Sequence, residues 1–228
     1  MNIHKKKYYV EFTGAHGAGK TFTYHAITKQ QLLKPYKALY PGQVQRPAVH
    51  FALSWPALAI KNIRHIIFVI GFFVRYAQMR QINFKVLRVL IKMIILHPYY
   101  YRFDFDVFLK DDMLHMLQRI MFKMNVEIEK AFREYLMHFI YLYNGLIYVD
   151  IEPEVMRERF KQRFLGKSDS FKNTRAVIHE RVRQQSQMLR RVVTTQTAVP
   201  YLVLDGSDDV QKNAQKVVSF VNQKIMTT

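Results

Sequence analysis

At 228 residues the chain can bury roughly 70% of the surface its unfolded form exposes, so a core can form without staples. Half the residues are hydrophobic and 23% are charged, which excludes a disordered chain. The absence of cysteine removes disulfides, thiolate metal sites and cysteine nucleophiles together, and fits a reducing, cytoplasmic setting. Thirty-five Lys and Arg against 17 Asp and Glu leave a net charge of +18, a field that attracts anions. The field is uneven: no acidic residue falls between Phe12 and Phe103, and the acids gather in the second half of the chain.

The first element is a strand over 7–13, rich in aromatic and β-branched residues, which runs into a glycine loop. A helix is expected from Lys20 to about Leu33, closed by Pro35, and then an irregular connection over 36–56 with room for a short strand. From Ala57 to about Leu96 the sequence is apolar with isolated basic residues and reads as two helices. A short apolar run at 106–111, a long helical stretch over 113–143 and a buried strand at 146–151 follow. Helices at 154–165 and 174–195 flank a polar loop, and a strand at 201–205 with a helix at 208–225 closes the chain. Strands separated by helices predict a parallel sheet covered on both faces. There is no internal repeat and no linker long enough to divide two domains.

Lys5–Lys7 are followed by an acid and three glycines rather than an apolar run, so no secretory leader is expected. The longest apolar run, Ile66 to Val74, is far short of the roughly 18–20 residues a spanning helix needs.

The motif that carries chemistry is Gly14-Ala15-His16-Gly17-Ala18-Gly19-Lys20-Thr21, which satisfies GxxxxGK[ST] between a strand and a helix. Its backbone N–H groups and the helix N-terminus cradle phosphate oxygens, Lys20 reaches the β and γ phosphates, and Thr21 holds Mg²⁺. Phe22 adjoins this ATP-binding segment. His16 occupies a variable position with no catalytic need.

Asp111 and Asp112 follow the third apolar run, where a carboxylate can hold Mg²⁺ or accept a proton from an attacking hydroxyl. Asp111 is the preferred metal ligand and both are catalytic candidates, with capping of the next helix as the alternative. Arg159 and Arg163 lie four apart on one helix face and can fold over a phosphate together, or form a solvated face paired with Glu154 or Glu158. The nine histidines show no spacing typical of metal ligands, and no transition metal is expected.

EFTGAHGAGKT, the strand ending at Asp111-Asp112, VDIEPEVMRERFKQR at 149–163 and VPYLVLDGSDDVQKNAQKV at 199–217 together resemble the small P-loop kinases. The likeness is greatest to the thymidylate kinase and deoxynucleoside kinase group. It implies a single P-loop domain over 1–228, a three-layer sandwich with a parallel sheet of about five strands and a helical insertion at about 57–103. It also implies a lid at about 157–175, with Arg159 and Arg163 as lid arginines. Thymidylate kinases carry Asp-Arg where this chain has Asp111-Asp112, and 50–103 has no match to their base-reading segment. Kinase-like proteins of surface-polysaccharide gene regions are similar in layout, with a basic apolar middle and an acidic pair at the third strand.

In that middle, Lys85, Arg88 and Lys92 form one stripe on an apolar helix. The stripe suits an anionic membrane or a lipid-linked acceptor, and equally a core helix with basic stems reaching water, or a homodimer interface. HPYYYRF at 97–103 reads as core before it reads as a platform for nucleic-acid bases. The favoured function is transfer of the γ-phosphate of Mg-ATP to a small anionic acceptor, such as a nucleotide or sugar conjugate. The alternative is a nucleotide-dependent switch or slow ATPase that binds a membrane or polyanion.

Overall fold

The computed structural model describes residues 6–14, 18–39, 56–76, 87, 91, 94–95, 104–110, 128–163, 187–196 and 198–227. Five strands make one sheet: β1 (Tyr8–Gly14), β2 (Ala38–Leu39), β3 (Val107–Lys110), β4 (Gly145–Asp150) and β5 (Tyr201–Asp205). Their spatial order is β2-β3-β1-β4-β5, and each neighbouring pair is parallel. A parallel sheet is what the alternation of strand and helix patterns predicts, its five strands are the number the resemblance implies, and the two-residue β2 lies in the irregular connection.

β1 is central, buried along its whole length, and its side chains alternate between two cores. Tyr8, Val10 and Phe12 join Ile27 of α1 (Lys20–Lys29) and Val217 and Phe220 of α6 (Val210–Phe220) on one face. On the other, Leu146 and Tyr148 pack with Val69 and Phe72 of α2 (Ile63–Tyr76), Phe132, Tyr135 and Leu136 of α3 (Ile128–Phe139), and Leu189 and Val192 of α5 (187–195). Tyr9 and Phe108 cover Leu58, Ile95 and Phe105 on that second side. The result is a helix–sheet–helix sandwich, with α4 (Pro153–Arg163) following β4.

Three boundaries differ from the sequence reading. α1 stops at Lys29 rather than near Leu33, because Gln31 adopts a left-handed conformation (φ 50°) and the Leu32 N–H bonds back to the Ile27 carbonyl. That six-to-one closure is a Schellman cap with Gln in the place glycine usually takes, sealed by apolar contact of Ile27 and Leu32 with the same core. The long helix expected over 113–143 ends in a tighter 3₁₀ turn at Ile140–Leu142; its part before residue 128 lies outside the described residues. The closing helix starts at Val210 because Asp209 caps it, its carboxylate accepting from the N–H groups of Gln211 and Lys212, and ends in a π turn at Val221–Ile225.

α2 and α3 are fastened by a partly buried polar seam that the sequence did not suggest, since its partners lie 58 to 76 residues apart. His65 Nδ1 lies 3.1 Å from His138 Nε2, the Tyr141 hydroxyl lies 2.6 Å from His65 Nε2, and Phe68 stacks on His138 at 3.6 Å between centroids. Arg75 and Tyr76 both bond Glu134 at the far end. Burial, with His138 and Arg64 nearby, lowers the His65 pKa to about 4, and burial beside Arg64 also lowers that of His138.

Candidate nucleotide site

The parallel register brings the carboxyl ends of the strands to one edge, where Gly14 is level with Val149 and Asp150 with Asp205. In open α/β sheets this edge, where the strand order reverses, is where ligands bind. Gly14 ends β1 at φ 129°, and a Cβ there would collide with the Val149 carbonyl, so the turn out of the sheet requires glycine. Ala15, His16 and Gly17 lie outside the described residues.

The chain is described again at Ala18 and Gly19, which lead into α1. Lys20 is almost wholly buried, and its Nζ donates to the Gly14 carbonyl at 3.0 Å. The ammonium is therefore tied to Gly14, the first residue of the loop. Thr21 and Phe22 are exposed on the first turn of α1, with the Phe22 ring 64% accessible.

Arg159 reaches this loop from α4. Its guanidinium donates to the Gly206 carbonyl at 2.8 Å and lies 3.8 Å from where a Cβ on Gly19 would be. Arg163 belongs to the same helix, but its side chain lies outside the described residues, as do Asp111 and Asp112. The structure thus brings Lys20, Gly19 and Arg159 together, and leaves the third-strand acids undescribed beyond Lys110, the last residue of β3.

A cavity of about 540 Å³ opens beside them, lined by Ala18, Gly19, Phe22, Thr23, Arg159, Gln162, Gly206, Asp208, Val210 and Asn213. The segment after β5 is the wall that sequence reasoning missed as a site. Its signal was the Asp205-Gly206-Ser207-Asp208-Asp209 run, a turn composition immediately after a strand. Gly206 fits against the phosphate loop only because it lacks a side chain: a Cβ would lie 2.6 Å from the Ala18 carbonyl oxygen and 2.7 Å from that of Asp150. Asn213 is buried, donating to the Asp205 carbonyl at 2.6 Å. Asp208 takes ammonium donors from Lys212 and Lys216, each at 2.7 Å, which lower its pKa.

The cavity is apolar at Phe22 and Val210 and cationic at Arg159, a combination suited to a ring attached to phosphates. For Mg²⁺ the described ligand is the exposed Thr21 hydroxyl; among the described residues no group of three or more His, Asp or Glu forms a metal cage. A phosphate-borne Mg²⁺ does not require such a cage, since it keeps waters and takes one or two protein oxygens.

No family model and no curated protein matches the chain. Among solved structures it is similar to a deoxyadenosine kinase from M. mycoides with bound dCTP, at a TM-score of 0.49 and 13% identity, over 94% of this chain and 98% of that one. The fold follows from the strand order and register. Among the described residues no helix is long and apolar enough to cross a membrane.

Proposed function

We propose that the protein is a P-loop phosphotransferase that moves the γ-phosphoryl group of Mg-ATP to a small anionic acceptor, in the manner of nucleotide and nucleoside kinases. The observation that carries this reading is the convergence of two cations from separate elements, Lys20 and Arg159, on one glycine loop that borders an apolar-walled cavity. Phosphoryl transfer needs little covalent participation by protein. It needs positioning and neutralisation of charge on the moving group.

In this reading Phe22, Thr23 and Val210 hold the base, the loop N–H groups hold the phosphates, and Lys20 neutralises the β and γ oxygens. Thr21 and Asp111 are assigned to hold Mg²⁺, which offsets negative charge on the phosphates when bound. Asp111 or Asp112 takes the proton of the acceptor hydroxyl as its oxygen bonds to phosphorus and the bond from phosphorus to the β–γ bridging oxygen breaks, leaving ADP. Arg159, with Arg163 one turn on, closes over the donor from a helix that can move as a lid.

The test is transfer of labelled γ-phosphate from Mg-ATP to a panel of nucleosides, nucleotides, sugars and glycolipids, with Lys20→Ala as control. A phosphorylated product that disappears in the folded variant is the expected result and names the acceptor class. Release of free phosphate alone across the whole panel would replace the kinase reading with the hydrolytic switch. Unchanged transfer by folded Lys20→Ala would overturn the site.

A further inference from the structure

The outer face of α2 carries a surface that the nucleotide site does not use. Ile60, in the turn of helix at 56–61, and Ile63, Ile67, Ile70 and Val74 of α2 recur at alternating intervals of three and four, and all are 44% to 73% exposed. At 100° per residue the four on α2 fall within an arc of about 60°, and they span about 16 Å of that helix. It lies on the side opposite His65, Phe68, Phe72 and Tyr76, which face α3. A contiguous apolar surface of this kind marks an interaction site rather than ordinary scatter.

The charges beside the stripe decide what it fits. Arg64 and Arg75 are exposed along one flank of α2, Arg64 over the Tyr141 ring and Arg75 paired with Glu134, while Lys61 precedes the helix and Lys130 and Arg133 are exposed on α3. There is no acid on α2 or anywhere from Phe12 to Phe103. The acids of α3 are engaged, Glu134 with Arg75 and Tyr76, Glu129 with Arg133 and Arg191. Two copies pairing through this stripe would set cation against cation with no acid on α2 to answer them. A surface that is apolar in depth and anionic at its boundary satisfies both parts at once: the isoleucines enter the acyl boundary while the basic stems reach phosphate headgroups.

We propose that the outer face of α2 docks the protein on an anionic lipid bilayer. The experiment is co-sedimentation of the full chain with vesicles of phosphatidylcholine containing phosphatidylglycerol, against phosphatidylcholine alone, with Ile63→Ser/Ile67→Ser and Lys61→Gln/Arg64→Gln as variants. Wild type is expected to bind the anionic vesicles and to release with salt. The serine variant should bind them about tenfold less, through lost apolar insertion, at an unchanged melting temperature because both positions are exposed. The glutamine variant should lose the preference for anionic vesicles. Absence of vesicle binding, or equal binding by wild type and the serine variant, would overturn the proposal. So would a concentration-dependent dimer in sedimentation equilibrium that the serine variant breaks, which would assign the stripe to a second copy.

Discussion

Gly206 and Arg159 form a joint whose two sides can be tested separately. Replacing Gly206 with Ala sets a Cβ against two backbone carbonyls, which cannot swing aside as a flexible side chain can, so the wall after β5 must withdraw from the phosphate loop. Overpacking of this kind costs about 1–3 kcal/mol. A fall in the denaturant midpoint, together with weaker nucleotide binding, is the expected outcome of Gly206→Ala. Arg159→Ala removes a charge-assisted hydrogen bond and the second cation at the loop, but no packed core. It should weaken ATP binding by about tenfold, equivalent to about 1.4 kcal/mol, with the melting temperature nearly unchanged. Calorimetric titration would read the first and thermal unfolding the second; wild-type affinity in Arg159→Ala would separate this arginine from the donor site.

The pairing of α2 with α3 makes the second core sensitive to acid. His65 has a folded pKa of about 4 against an ordinary value of 6.5, so below pH 6.5 the unfolded chain takes up the proton that the folded one refuses. Stability is therefore full above about 6.5 and lost as pH falls towards 4. His138 shifts in the same direction, and Arg64 on the same side discourages either ring from charging. The melting temperature should drop steeply across that window, and His65→Gln should flatten the drop. A wild-type melting temperature that is constant from pH 7 to pH 4.5 would contradict the buried-imidazole account.

At this scale the sequence was a good guide where one residue type does one job. Gly14 and the strand–loop–helix order were legible because backbone turning at the end of a strand leaves few substitutes for glycine. The end of α1 was not, because Gln31 took a left-handed position that composition assigns to glycine, and Pro35 drew the boundary too late. The wall after β5 was visible only as a turn; its role depends on Gly206 meeting Ala18, a contact between residues 188 positions apart. The histidine seam was invisible for the same reason, as pattern rules read neighbours along one helix and not partners across two.

Over the whole molecule the sheet does the positioning. Its parallel register aligns the ends of β1, β4 and β5, so the loop, α4 and the last wall meet at one edge although they are supplied by three distant parts of the chain. The charge asymmetry acts separately, since the acid-free stretch contains both Lys20 and the exposed stripe of α2. Nucleotide and bilayer headgroups would both be drawn to the same half of the sequence. The two surfaces differ in kind: one is a concave pocket with a half-buried arginine, the other a convex helix face.

The central position of β1 also governs how the chain comes into being. β1 is synthesised long before either neighbour: β3 begins at Val107 and β4 at Gly145. At about 5–20 residues per second, a ribosome needs on the order of ten seconds after Gly14 emerges before the second flanking strand follows. Until β3 follows, an aromatic, β-prone segment has neither edge occupied, and one edge stays open until β4 arrives. The phosphate loop, early in sequence, is therefore late in assembly, and yield during synthesis depends on keeping that strand from foreign partners until its own arrive.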